Sequence, residues 1–115
     1  MGIAQRRGRA GEALAAAYFE LLGCEVLDRN LKLAGVEVDL VVADGATRVL
    51  VEVKLRGRTD FGGAALAVDQ RKRERLKRAA RALGSGSAPL RIDVVALETL
   101  DGGLTLRHYR NAITD

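Results

Sequence analysis

The sequence contains few of the residues that build disulfides, zinc sites and stacking surfaces. Its 115 residues include one cysteine, one histidine and no tryptophan. A lone cysteine excludes a disulfide within the chain, and one histidine with one cysteine cannot form a Cys/His zinc site. With two tyrosines and two phenylalanines, the chain also lacks the interleaved aromatics of single-strand-binding surfaces. Any metal site must therefore use oxygen ligands.

Long apolar segments are also missing. No apolar run approaches the length that spans a bilayer, and the first residues lack the apolar core of a signal peptide. We therefore expect a cytoplasmic protein with no membrane partner. The length suits one domain, residues 1–115, and the chain shows no internal repeat or linker.

Positive charge is concentrated in one segment. Residues 69–83 carry seven basic residues against two acidic ones, although the formal charge of the whole chain is only +4. Such a face suits binding to a phosphate backbone, and a solvated helix face explains it equally well. The residues expected to contact nucleic acid are Arg56, Gln70, Arg71, Lys72, Arg73, Arg75 and Arg78.

Hydrophobic periodicity and turn residues predict the order helix, three strands, helix, two strands. The first predicted helix covers 7–22, and the second runs from an N-cap at Asp69 to Leu83. The apolar positions of the first helix are Ala10, Leu14, Ala17, Tyr18, Leu21 and Leu22. The predicted strands cover 25–31, 36–43, 48–56, 90–97 and 104–109. This order implies an α/β fold, in which helices flank a central mixed β-sheet of about five strands.

The second and third predicted strands form a hairpin with charged residues at alternate positions. Alternation places Glu37 and Asp39 on one face of the first strand, and Glu52 and Lys54 on one face of the second. A two-residue turn at Asp44-Gly45 puts Glu37 opposite Glu52, whereas a four-residue loop puts Asp39 opposite Glu52. Both registers predict that the four charged side chains share one face of the sheet.

Facing carboxylates need a neutralising charge between them. Two like charges about 4 Å apart repel by roughly 4 kcal/mol at an effective dielectric constant near 20. A hard cation such as Mg²⁺ or Mn²⁺ offsets this repulsion and prefers oxygen ligands. With such a metal, the basic partner Lys54 would orient water or neutralise developing charge in phosphodiester hydrolysis. The alternative is a solvent-exposed hairpin face with cross-strand ion pairs. Two flanking helices make this alternative less favourable, because they leave little of the sheet exposed.

Two further residues belong with this hairpin. Lys72 lies four positions before the apolar Leu76, on the inward side of the second helix. It would either reach a substrate phosphate or extend its charged end past the edge of the core. Glu12 lies near the start of the first helix, where the helix dipole by itself favours an acidic residue.

The remaining polar candidates have no catalytic pattern around them. Asp93 shares a strand face with Arg91, and this spacing predicts a structural ion pair. No role is predicted for His108 or Cys24, because no partners are evident near them in the sequence.

Taken together, the order and spacing of these residues resemble the YraN-like family of small bacterial proteins. Members of that family are regarded as endonucleases by prediction. They are related to Holliday-junction resolvases within the PD-(D/E)XK, restriction-endonuclease-like superfamily. The motifs that carry the resemblance are Gly8-x-x-Gly11-Glu12, Arg29-Asn30, Glu37-Val38-Asp39-Leu40-Val41, Val51-Glu52-Val53-Lys54-x-Arg56, Phe61-Gly62, Lys72 with Arg75-Leu76, Arg91-Ile92-Asp93-Val94-Val95, and Asn111-Ala112.

The resemblance implies a restriction-endonuclease-like core and a metal-dependent endonuclease acting on branched or structured DNA. It implies a catalytic set of Glu12, Asp39, Glu52 and Lys54. Asp39, Glu52 and the backbone carbonyl of Val53 would bind Mg²⁺ or Mn²⁺. It also suggests a homodimer. The alternative is a catalytically inactive module that binds nucleic acid with the same fold.

Overall fold

The computed structural model describes residues 2–56, 70–84 and 88–114. The elements in chain order are α1 (Ile3–Leu21), β1 (Glu25–Leu33), β2 (Val36–Asp44), β3 (Thr47–Arg56), α2 (Gln70–Leu83), β4 (Leu90–Leu100) and β5 (Gly103–Tyr109). Helix α1 begins earlier than predicted, and the Gln5 side chain accepts a hydrogen bond from the Gly2 amide across its first turn at 3.2 Å. The predicted N-cap Asp69 lies outside the described residues. In the part of the chain given above, neither helix is long and apolar enough to cross a membrane.

The five strands form one mixed sheet in the order β1-β2-β3-β4-β5. Strands β3 and β4 are parallel, and every other neighbouring pair is antiparallel. Parallel neighbours need a crossover connection, and α2 lies in the connection between β3 and β4. The structure therefore confirms the predicted α/β fold, and a five-stranded mixed sheet between two helices is consistent with a restriction-endonuclease-like core.

The sheet is buried on both faces, because each helix covers one of them. Helix α1 contributes Ala15, Ala16 and Phe19 to one cluster, and α2 contributes Leu76 and Ala79 to the other. Strand residues alternate between the two. The α1-side cluster takes Leu40, Val42, Val49, Val51, Val95 and Leu97, and the α2-side cluster takes Val36, Val38, Val41, Leu50, Ile92 and Val94, with Ile113 from the C-terminal segment.

The buried face of α1 differs from the predicted one. Leu21 is 87% exposed and Leu14 is 37% exposed, whereas the buried positions are Gly11, Ala15, Ala16 and Phe19. Because alanine surrounds this helix on every side, its periodicity did not define one apolar stripe. The helix packs closely through small residues, since a Cβ placed on Gly11 would lie 3.3 Å from Cδ1 of Leu97.

The β2–β3 hairpin has the strand register that was predicted for a four-residue loop, although its turn contains only two residues. Ala43 pairs with Arg48, and the turn consists of Gly45 and Ala46, one residue later than the predicted Asp44-Gly45. Gly45 has φ +60°, a conformation in the left-handed region that favours glycine.

Strand β2 changes faces at Asp39. Leu40 packs in the α1-side cluster, whereas Val38, two residues earlier, packs in the α2-side cluster. Since alternate residues of a regular strand share a face, the backbone switches faces between them. Strand β1 is irregular at the same level, because Asn30, which precedes the Leu31 partner of Val38, has φ 51°.

This switch corrects one predicted placement. Glu37 alternates with Val36 and Val38, which both pack on the α2 side, so it points to the opposite side and is exposed. The expectation that four charged side chains share one face was therefore wrong for Glu37, because it assumed an unbroken strand through Asp39.

Truncating the core beneath α2 tests this packing. Leu76→Ala removes a side chain that is fully buried, and we expect it to lower the free energy of unfolding by about 2–5 kcal/mol in urea titrations. The matched substitution Leu21→Ala, at the exposed end of α1, should change it by less than about 0.5 kcal/mol. Equal losses would contradict the assignment of Leu76 to the core.

Candidate functional site

The site is centred on Asp39, where β2 and β3 stop pairing. Their backbone ladder extends from the turn to the pair Leu40–Val51. One residue further, Oδ2 of Asp39 accepts a hydrogen bond from the Val53 amide at 2.7 Å. The carboxylate therefore occupies the position of a strand partner, and a side chain satisfies the part-buried backbone amide of Val53.

Glu52 lies beside Asp39 and is only 4% exposed. Its carboxyl group is close enough to that of Asp39 to raise the pKa of Asp39. Nζ of Lys72, from the first turn of α2, lies 2.9 Å from Oε2 of Glu52. The predicted inward position of Lys72 is thus confirmed, and its ammonium contacts an acidic residue rather than solvent alone.

The electrostatics of this pair follow from burial and like charge. Burial and then the negative charge of Glu52 raise the pKa of Asp39 to about 8, and the charge of Glu12 on α1 adds a smaller increase. Burial opposes the charge of Lys72, but its hydrogen bond to Glu52 and the two carboxylates hold the pKa of this ammonium above its usual value. Near neutral pH, a proton on Asp39 and the ammonium of Lys72 neutralise the carboxyl pair of Asp39 and Glu52.

A divalent cation suits this donor set. Within residues 2–56, 70–84 and 88–114, no three acidic, histidine or cysteine side chains form a metal cage. Mg²⁺ does not require such a cage, since one or two carboxylates together with water and substrate oxygens commonly complete its octahedron. Asp39 and Glu52 provide two such carboxylates, and a cation would replace the positive charge that the proton and Lys72 now supply.

The other predicted catalytic residues lie around this pair. Glu12 is half-buried on α1 and is near enough to act on the charge of Asp39. Lys54 follows Glu52 on the same face of β3 and is half-buried. The Val53 amide binds Asp39, and metal binding by the Val53 carbonyl stays a prediction from the resemblance.

The predicted nucleic-acid-binding residues lie mainly on α2, next to the acidic pair. Lys72 and Arg73 are half-buried, and Gln70, Arg71, Arg75 and Arg78 are exposed. Gln70 Nε2 donates to Oε1 of Glu74 at 2.9 Å. Arg56 is half-buried on β3, where its carbonyl accepts a 3.5 Å hydrogen bond from Thr99 Oγ1.

A second polar network lies on the α1 side of the sheet. Asp93 is fully buried and accepts hydrogen bonds from Arg91 Nε at 3.0 Å and from the Asn111 amide at 2.9 Å. Its Oδ2 lies 2.7 Å from Nε2 of His108, and Nδ1 of His108 lies 2.9 Å from the Tyr18 hydroxyl. The predicted Arg91–Asp93 ion pair is therefore confirmed.

The network also corrects the expectation that His108 has no role. His108 joins α1 to β4 and β5 through Tyr18 and Asp93, and its ring packs edge-on against Phe19 at a centroid distance of 5.0 Å. The spacing of Arg91 and Asp93 signals a shared face, but the residues from other elements come together only in the fold. We assign this network to stability, because its partners satisfy one another.

The raised pKa of Asp39 predicts how stability depends on pH in EDTA. The folded chain holds a proton on Asp39 that the unfolded chain releases, so the free energy of unfolding should fall as pH rises from 3.8 toward about 8. Asp39→Asn should flatten this fall and raise the melting temperature at pH 8. Glu37→Gln, an exposed neighbour on β2, should leave it unchanged. A fall that persists in Asp39→Asn would assign the pH dependence to other groups.

The Asp93 network predicts a large loss of stability when its central charge is removed. Asp93→Asn keeps the side-chain shape but removes the buried counter-charge of Arg91, which then keeps only the part-exposed Asp44 at 2.8 Å. We expect a loss of about 2–3 kcal/mol in the free energy of unfolding. Asp28→Asn, at an exposed position of β1, serves as the control in the same urea titration. Similar small losses in both variants would contradict this account of Asp93.

Comparisons with known proteins agree with the motifs in the sequence. The model of the uncharacterised protein family UPF0102 matches residues 11–97. A UPF0102 protein of Halorhodospira halophila is 44% identical over 95 residues, covering 82% of this chain and 78% of the relative. Another, of Stutzerimonas stutzeri, is 38% identical over 117 residues, covering 97% of this chain and 98% of the relative. The chain therefore belongs to the UPF0102 family, the YraN-like family that its motifs resemble.

Proposed function

We propose that this chain is a metal-dependent nuclease that hydrolyses phosphodiester bonds, with branched or structured DNA as its substrate. The observation that carries the proposal is the carboxyl pair of the half-buried Asp39 and the buried Glu52, which needs a neutralising positive charge. The YraN-like motifs support the same activity, and the basic side chains of α2 beside the pair suit a polyanionic substrate.

Asp39 and Glu52 would hold Mg²⁺ or Mn²⁺, with the Val53 carbonyl as the third expected ligand. When bound, the metal supplies Lewis acidity to a phosphate oxygen and to the attacking water. The Val53 amide fixes the Asp39 carboxylate between the strands, so the ligand needs little reorganisation before a cation arrives. Glu12 adds negative charge that strengthens cation binding.

The two lysines act on the charge of the reacting phosphate. Lys72 balances Glu52 at 2.9 Å, and where a cation balanced that carboxylate instead, the ammonium would bind a phosphate oxygen. Lys54, on the same face of β3, orients the attacking water or neutralises charge that develops during hydrolysis. These roles make positive charge available on both sides of the reacting group.

Helix α2 would hold the nucleic acid against this site. Arg71, Arg75 and Arg78 are exposed on the helix whose Lys72 contacts Glu52. Contacts of this kind neutralise phosphates without reading bases, so the affinity should fall steeply with salt. A homodimer, which the resemblance suggests, would present two such faces.

A second candidate is a binding module that keeps the fold without turnover. The Lys72–Glu52 ion pair favours it, because it neutralises the acidic residue without a metal. This module would bind DNA or RNA in a salt-dependent manner through Arg71 and Arg78, and the loss of Asp39 would not alter its affinity.

Cleavage of labelled junction, flap, duplex and single-stranded DNA, with Mg²⁺ or Mn²⁺ and with EDTA, tests the nuclease. We expect metal-dependent cleavage, with Glu52→Gln and Lys54→Ala each lowering its rate on the order of 100-fold or more. Binding to the same DNA by fluorescence anisotropy should persist in both variants, because α2 is intact.

Glu37→Gln and Lys32→Ala are the matched controls, since both replace the same residue types at exposed positions of neighbouring strands. They should cleave within about twofold of the unchanged chain. Salt-dependent binding without cleavage of any substrate would support the binding module instead. Cleavage that survives loss of Glu52 would overturn the proposed role of the acidic pair.

A further inference from the structure

A polar hollow of about 270 Å³ lies between the first turns of α1 and the middle of β1. Its lining residues are Gln5, Gly8, Arg9, Glu12 and Asn30. Only Glu12 belongs to the predicted catalytic set, and none of the lining residues belongs to the basic face of α2. The hollow therefore forms a separate surface with its own set of hydrogen-bonding groups.

Three of the residues that line the hollow carry hydrogen-bond donors suited to an anion. Arg9 offers a guanidinium, and Asn30 and Gln5 each offer a side-chain amide. The Gln5 carbonyl oxygen already accepts from the Gly2 amide, which leaves its NH₂ group as the end available to a ligand. Within the described residues, Arg9 and Asn30 are exposed, and no hydrogen bond or ion pair is found for either side chain.

Two residues that line the hollow, Glu12 and Asn30, are neighbours of Asp39. The charge of Glu12 acts on Asp39. Asn30 lies opposite Asp39 across β1 and β2, because the flanking pairs are Arg29 with Leu40 and Leu31 with Val38. A chain of phosphates bound at the donors would therefore continue toward Asp39 and Glu52.

Two backbone features keep this surface open. A Cβ added to Gly8 meets nothing within 4 Å, so the glycine leaves space above the helix that a larger side chain would fill. Asn30 has φ 51° inside a strand, a conformation that is uncommon outside turns and that asparagine tolerates better than most residues. Such irregular backbone often marks a ligand site.

We propose that this hollow binds the sugar-phosphate backbone of the nucleic-acid strand that enters the Asp39–Glu52 site. The inference rests on the proposed function and adds a second contact surface to it. Arg9 and Asn30 hold a phosphate on the α1 side, while α2 holds the nucleic acid from the other face of the sheet. The nucleic-acid strand that is cut then lies over the Asp39–Glu52 pair, with the hollow on one side of it and α2 on the other.

Binding of a fluorescein-labelled oligothymidylate to the full chain tests this subsite, in EDTA and separately with Ca²⁺. Gly8→Leu fills the hollow, and Arg9→Ala removes its cation. Each should weaken binding about tenfold, as expected for the loss of one charge-assisted phosphate contact. Both Arg9→Ala and Gly8→Leu should also reduce the slope of log affinity against log salt by about one unit, because each variant loses the phosphate contact at Arg9.

The matched controls are Ala13→Leu and Arg6→Ala, which make similar changes at exposed positions of α1 outside the hollow. Both should bind within about twofold of the unchanged chain. Asn30→Gly retains the left-handed backbone and removes the amide, so it should weaken binding without a loss of melting temperature.

The outcomes separate this inference from the proposed function. If the unchanged chain binds and Gly8→Leu binds as Ala13→Leu does, the hollow is not the subsite, while the proposed function stands. If the unchanged chain binds neither this oligonucleotide nor the junction, flap and duplex DNA, both are overturned. Loss of binding in Gly8→Leu and Arg9→Ala, with both controls intact, supports the subsite.

Discussion

The hydrogen bond from the Val53 amide to the Asp39 carboxylate holds the two central strands together where their backbones separate. The neighbouring backbone ladder ends at Leu40, so this side chain takes the place of a strand partner. The hydrogen bond fixes Asp39 beside Glu52, and burial with a like charge then raises the pKa of Asp39. The electrostatic demand for a cation thus follows from one irregularity in the sheet.

The same irregularity explains why two helices on opposite faces can serve one site. Lys72 reaches Glu52 from the α2 side, while the charge of Glu12 acts on Asp39 from α1. A regular strand would have separated these residues by the thickness of the sheet. Because β2 changes faces at Asp39, the acidic pair lies at the boundary between the two sides, where the nucleic acid that we propose as substrate would contact both helices.

The stabilising polar network has a different character. Asp93 is fully buried, and its neighbours Arg91, His108 and the Asn111 amide satisfy it. The charge of Asp93 therefore stabilises the packing of β4, β5 and the C-terminal segment. Asp39 and Glu52 instead repel each other and are neutralised by a mobile proton and a lysine. This contrast is why we propose a functional role for the Asp39–Glu52 pair and assign the Asp93 network to stability.

The sequence alone determined the order of elements, the mixed sheet, the inward side of α2 and the presence of Asp39 and Glu52 on one hairpin, because these follow from local periodicity and turn signals. It left two hairpin registers open, and the structure decided the one that brings Asp39 beside Glu52. It did not determine the buried face of α1, since alanine lies all around that helix. Nor did it show that Glu37 leaves the site, because β2 changes faces at Asp39, beside the irregular backbone of Asn30 in β1. The His108 network and the hollow beside Glu12 were decided by tertiary structure, since residues of α1 meet residues of distant strands only when α1 packs on the sheet.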